Sequence, residues 1–232
     1  MQHSTDTSLM NDYTPQHHPS EALLMDHALG NLALGFGLAV DVHLDTCEQC
    51  QGDFRLMQEL AGGLLADTAE QDLGRHDIAS LLDQLPEQEP ATMPLVTVDS
   101  DLPAHLAQCF LDLNIDPGPN STLPFVTRAP GIGTIPLSKE ANGTFARLMR
   151  IAAGKAVPHH SHNGLEVTAL IKGSYEDEVS WYGPGDFVEH GPEIKHQPIA
   201  GVERDCICIG VTEGPLAFTN PLYRVLRPFF PV

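Results

Sequence analysis

The chain has 232 residues, 42% hydrophobic and 6% aromatic, which is enough apolar material for one or two ordinary cores. Its 31 acidic against 12 basic side chains leave a formal net charge of −19. Residues 1–100 hold 17 acidic and 2 basic side chains, a net of −15, whereas residues 101–232 hold 14 and 10, a net of −4. This skew argues against direct contact with nucleic acid or an anionic membrane, because phosphate neutralisation needs Lys and Arg and the first hundred residues offer only Arg55 and Arg75. It leaves a basic protein partner open and suggests two regions with different roles.

The N-terminus lacks a basic stretch followed by an apolar one, so no secretory signal is expected. The longest apolar-rich run, residues 28–40, is too short to span a bilayer. The expected location is the cytoplasm. Five cysteines, Cys47, Cys50, Cys109, Cys206 and Cys208, form an odd set, which in a reducing compartment points to metal binding or redox chemistry before disulfides.

In chain order, Ser20 and Glu21 suit a helix cap and first turn ahead of Leu23, Leu24, His27 and Ala28 at helical spacing. Gly30 and Asn31 provide a stop. Further helices are predicted over residues 32–44, 48–66 and 77–85, which together would make a small N-terminal bundle. Residues 86–119 shift to Pro, Gln, Glu, Asp and Ser and read as a linker holding one short helix near 104–113. Beyond it, short runs at 145–151, 167–171, 178–181 and 206–211 alternate with Gly and Pro punctuation, predicting a C-terminal all-β barrel or sandwich. The fold class is therefore α+β and multidomain: residues 1–90 helical, 91–119 linker, 120–232 all-β.

Two constellations carry metal chemistry. His43, Cys47 and Cys50 stand at i, i+4 and i+7, so three ligands share one face of a helix or its end. Sulfur and nitrogen donors suit zinc, and His17, His18 or His27 could supply the fourth. A redox Cys-x-x-Cys would expect a βαβ context, which is not evident here.

The run His17-His18-Pro19-Ser20-Glu21-Ala22-Leu23-Leu24 ahead of His43-x3-Cys47-x2-Cys50 resembles the zinc-binding domain of ChrR-type anti-sigma factors. In that family a histidine just before the first helix completes the site. By register His18 matches it, with His17 the adjacent fallback and His27 a polar residue on a helix face.

Residues 154–173 match the first cupin motif, G-x5-H-x-H-x3-E-x6-G, through Gly154, His160, His162, Glu166 and Gly173. On a strand, residues two apart share a face, so His160 and His162 can both enter a barrel, with Glu166 joining from the next strand. Gly185-Asp186-x5-Pro192-x3-His196 resembles the second motif, with Ile194 where a glycine is usual, and offers His196 as fourth ligand. His159 is expected to turn outward. Three histidines and a carboxylate suit a second divalent ion: zinc, with iron, manganese, nickel or copper as alternatives.

The fused order of the two halves is that of ChrR-like proteins. The family's Cys-x-Cys pair is matched by Cys206 and Cys208, redox candidates on one face of a late strand. Cys109 is read as a small buried hydrophobe. The resemblance implies a regulator rather than an enzyme. Its zinc domain would sequester an extracytoplasmic-function (group 4) sigma factor from core RNA polymerase, and its cupin would release that factor under oxidative stress, by singlet oxygen or organic hydroperoxides. The competing reading is a cupin dioxygenase using His160, His162, Glu166 and His196 with iron. A third is a ligand-binding cupin whose bundle only dimerises.

Overall fold

The computed structural model describes residues 13–68, 83, 102–118, 122–214 and 217–218. Four helices are seen among them: α1 (Glu21–Ala28), α2 (Leu34–Leu44), α3 (Glu48–Ala66) and α4 (Ala104–Asp112). The helix expected over 77–85 lies outside the described residues, apart from Asp83. No helix among those described is long and apolar enough to cross a membrane.

Ser20 caps α1, its hydroxyl accepting from Leu23 N at 3.3 Å, and Gly30 ends the segment at a φ of +71° that other residues rarely adopt. α2 is apolar all round, and accordingly Phe36, Ala39, Val40, Val42, His43 and Leu44 are all buried. α3 follows a short break and buries Cys50. α4 is pinned to the end of α2, where the Asp45 carboxylate accepts from His105 N at 3.0 Å and lies 2.7 Å from His105 Nδ1.

The remainder is β structure. Strands β1 (Val126–Ala129), β2 (Ile132–Lys139), β3 (Phe145–Ile151), β5 (Glu166–Lys172), β8 (Phe187–His190) and β11 (Cys206–Thr212) form a six-stranded sheet ordered β1-β2-β3-β11-β5-β8. Strands β6 (Tyr175–Glu176), β7 (Trp181–Tyr182) and β10 (Ile199–Ala200) form a second sheet. The third joins β4 (His160–Ser161), β9 (Lys195–His196) and β12 (Ala217–Phe218). Residues 178–181, expected as a strand, are instead mostly a turn between β6 and β7. Asp177 Oδ1 accepts from Val179 N at 2.9 Å and Ser180 N at 3.1 Å, which closes the chain on itself before Trp181.

The six-stranded sheet is apolar on both faces. One face, with Ala146, Leu148, Val167, Ala169, Ile209 and Val211, merges with Leu24, Phe36, Val40 and Phe110 of the helices into a single core. The other, with Ile151, Leu170, Cys206 and Cys208, turns into the barrel against Tyr175, Tyr182 and Val188. α2 lies directly on the outer face, and Gly35 makes this close approach feasible. A Cβ there would stand 2.9 Å from Ala146 Cβ and 3.1 Å from Val211 Cγ1. The stretch read as linker thus contributes α4, whose Leu106 and Phe110 belong to this shared core.

Candidate metal centres

Three groups of ligand-type side chains converge among the described residues, each with its donor atoms within 4.8 Å of one another, the third sharing His196 with the second. The first joins His18, His43, Cys47 and Cys50. His18 Nδ1 lies 3.4 Å from both sulfurs. Donors held at about 2.3 Å (sulfur) and 2.0 Å (nitrogen) from one tetrahedral ion stand about 3.5 Å apart, so the spacing fits such an ion. His43 Nδ1 donates to Gly185 O at 2.7 Å, and its buried Nε2 has no partner among the described residues. That orphan atom fits a ligand position. Burial pushes the His43 imidazole down to about 4, keeping it neutral and able to bind metal. Burial and then Cys47 push the Cys50 thiol up to about 12, an opposition to charge that a bound cation reverses.

His17 is turned elsewhere. Its Nδ1 lies 3.3 Å from Asp186 Oδ2, its Nε2 lies 3.3 Å from Ser180 Oγ, and its ring packs on Tyr182. His27 reaches Asp41 at 2.7 Å and stacks on Phe54, linking α1 to α2 and α3.

The second group joins His160, His162, Glu166 and His196 inside the barrel. β4 and β9 place His160 directly opposite His196. His162 Nε2 lies 3.2 Å from both His196 Nε2 and Glu166 Oε2, and the latter oxygen is 3.4 Å from His196 Nε2 and 4.0 Å from His160 Nε2. Two of the three outer nitrogens are occupied, His160 Nδ1 donating to Pro158 O at 2.8 Å and His196 Nδ1 meeting Asp177 Oδ2 at 2.9 Å, whereas the buried His162 Nδ1 has no partner among the described residues. Three Nε2 atoms and one carboxylate oxygen therefore face a common point, the donor set of a divalent ion. Burial pushes His160 down to about 4. Burial also works against a charged His196, but its bonds to Asp177 and Glu166 prevail and lift it to about 9. Glu166 is likewise opposed by burial yet is held at about 2 by His196 and the other two histidines. His159 points away toward Glu178, 3.7 Å from its carboxylate.

Cys206 and Cys208 share the barrel-facing side of β11 and are buried free thiols, and the hydrogen bond from Cys206, followed by burial, drives the Cys208 thiol far up. Cys109 is half-buried against the shared core, its thiol raised by burial.

Residues without a motif also contribute. Asp177 orients His196, and His190, at the end of β8 opposite Glu166, closes a third grouping of Asp177, His190 and His196. Asp186 is fully buried and gathers the segment ahead of α1. Its carboxylate accepts from Tyr13 OH at 2.7 Å, Gln16 N at 2.7 Å, His17 N at 3.0 Å and Gly183 N at 2.7 Å. The only sequence signal for it was the Gly-Asp step of the second cupin motif, and nothing there named its partners.

The chain matches the family model of the ChrR cupin-like domain over residues 119–217. It is 35% identical over 217 residues to the anti-sigma-E factor ChrR of Cereibacter sphaeroides, covering 94% of this chain and 99% of that relative. It also resembles the crystal structure of Rhodobacter sphaeroides SigE in complex with the anti-sigma ChrR. The TM-score is 0.71 at 32% identity, covering 86% of this chain and 100% of that chain.

Proposed function

This chain belongs to the ChrR family of anti-sigma factors, and we propose that it sequesters an extracytoplasmic-function (group 4) sigma factor in the cytoplasm through a zinc-stapled helical half and releases it when the cupin half meets an oxidant. The observation that carries the reading is the match to an anti-sigma factor along 94% of the chain, which takes in both ligand sets.

In this reading His18, His43, Cys47 and Cys50 hold zinc, whose preference for tetrahedral sulfur and nitrogen donors their spacing suits. The ion ties the segment ahead of α1 to the end of α2 and the start of α3. α3 then presents Leu56, Leu60 and Leu64, all more than half exposed at i, i+4 and i+8, as an apolar stripe fit for a protein partner. The acidity of the first hundred residues favours a partner with basic polymerase-facing surfaces and speeds their encounter.

The cupin half is read as the sensor, with His160, His162, Glu166 and His196 holding a second divalent ion and singlet oxygen or organic hydroperoxides as the signal. Cys206 and Cys208 are its redox candidates, reachable only by small molecules because both are buried. A physical route from sensor to binder is available. Asp177 bonds His196, its turn positions Ser180, and Ser180 Oγ lies 3.3 Å from the ring of His17, the neighbour of His18. Gly185, in the turn that follows β7, accepts from His43.

The test is capture of sigma factors by the full-length protein, its Cys47→Ser variant and its His160→Ala variant, with and without hydroperoxide. The expected outcome is capture by wild type, none by Cys47→Ser, and hydroperoxide-resistant capture by His160→Ala. Equal capture by wild type and Cys47→Ser would sink the zinc-dependent reading.

A further inference from the structure

One charged side chain inside the barrel is used by neither ligand set. Arg147 of β3 lies in register with Gly210 of β11, and Gly210 with Thr168 of β5, so the three form a row across adjacent strands. Arg147 is 6% exposed, and its Nε has no partner among the described residues. Gly210 lies beside it: a Cβ at that position would stand 4.0 Å from the Nε and a tight 3.2 Å from Met149 Sδ, space that the glycine leaves open. Arg147, Thr168 and Gly210 line a cavity of about 40 Å³ together with His160, Glu166 and His196.

Charge decides what this cavity can hold. A guanidinium stays protonated in a protein, and a buried one without a counter-charge is strongly unfavourable. The carboxylates bonded to the ligand set are Glu166 and Asp177. Glu166 is also the charge that supports the Arg147 guanidinium against burial; with a divalent ion on that set, Glu166 and Asp177 together offset the ion, and the sum with Arg147 is one positive charge. The volume holds about three water-sized groups.

We propose that this cavity binds a small monoanion of the carboxylate class, paired with the Arg147 guanidinium beside the cupin ligand set. A carboxylate matches the planar fork of Arg and supplies the missing charge. The inference rests on reading His160, His162, Glu166 and His196 as a metal set, and it gives the barrel an effector of defined charge.

The experiment is calorimetric titration of the full-length protein, its metal content verified by mass spectrometry, with sodium formate and with formamide as neutral isostere. The expected result is saturable formate binding, with formamide and the Arg147→Met variant each weaker by about tenfold or more. No saturable formate binding with the ion in place overturns the anion site and leaves the metal set standing. Formamide binding as tightly as formate, or Arg147→Met binding like wild type, overturns it as well. A chain that takes up no ion at the cupin set overturns the metal reading and this inference together. Should Arg147→Met fail to fold, Arg147→Lys keeps the charge but loses the fork, and weaker formate binding by that variant supports the pairing. The comparison with formamide needs no variant.

Discussion

Asp177 shows how much of a candidate metal site can sit outside its motif. Nineteen residues separate it from His196, and a reading of ligand spacing has no reason to join them. The turn between β6 and β7 brings its carboxylate to 2.9 Å from His196 Nδ1, which holds the ring so that Nε2 faces His160, His162 and Glu166. Such outer partners typically set metal affinity within about 10- to 100-fold. Asp177→Ala should therefore weaken ion retention at the cupin set by about that factor while leaving the ion held by Cys47 and Cys50 in place, as measured by competition with a chelator. Loss of both ions together would show that the carboxylate serves the fold rather than His196. The convergence of the candidate ligands is legible, because spacing on a strand or helix determines which side chains share a face. His17 and His18 differ by a single residue, and what separates them in space is the pocket of Tyr182, Ser180 and Asp186, which receives His17 and turns His18 toward the two sulfurs.

At the scale of elements, α2 and the segment 177–187, two turns flanking β7, do the joining. α2 reads in sequence as one more helix of a bundle, but its apolar residues run all the way round because it is covered by helices on one side and by the sheet on the other. Gly35 is the contact point. Gly35→Val would drive a branched side chain into Ala146 and Val211, and over-packing of this kind costs about 1–3 kcal/mol. The expected outcome is a denaturation midpoint lowered accordingly, with hydrogen exchange faster in α2 and in β11. Asp186 performs the corresponding task for the segment ahead of α1. Asp186→Ala strips four donors of their acceptor and should cost about 3–5 kcal/mol, with faster amide exchange at Gln16 and His17. Unchanged exchange there would mean that the ligand set alone anchors the segment. The strand expected over 178–181 was misread because Val179 and Trp181 alternate with polar residues, whereas the Asp177 side chain offers the backbone a turn instead.

Across the whole molecule, helices and barrel share one core and meet along the segment that touches both ligand sets. Removal of metal should therefore act unevenly. Chelation is expected to melt α1 and α3, which lean on His18, Cys47 and Cys50, while α2 stays protected on the sheet; circular dichroism with hydrogen exchange reads the difference. A structural ion of this kind contributes on the order of 10 kcal/mol in small domains, so an unchanged helical signal after complete stripping would exclude a structural role. The amino-acid sequence by itself determined the ligand types, the order of helical and β halves and the acidic first hundred residues, because each of these depends on local spacing and composition. Only the tertiary structure decided that α2 is a shared wall rather than part of a free-standing bundle, that Asp177 and Asp186 tie the candidate ligands to the two turns flanking β7, and that Arg147 faces the cavity beside Glu166. Those relations depend on strand register and on contacts between residues as far apart as Tyr13 and Asp186, which no pattern of nearby residues encodes.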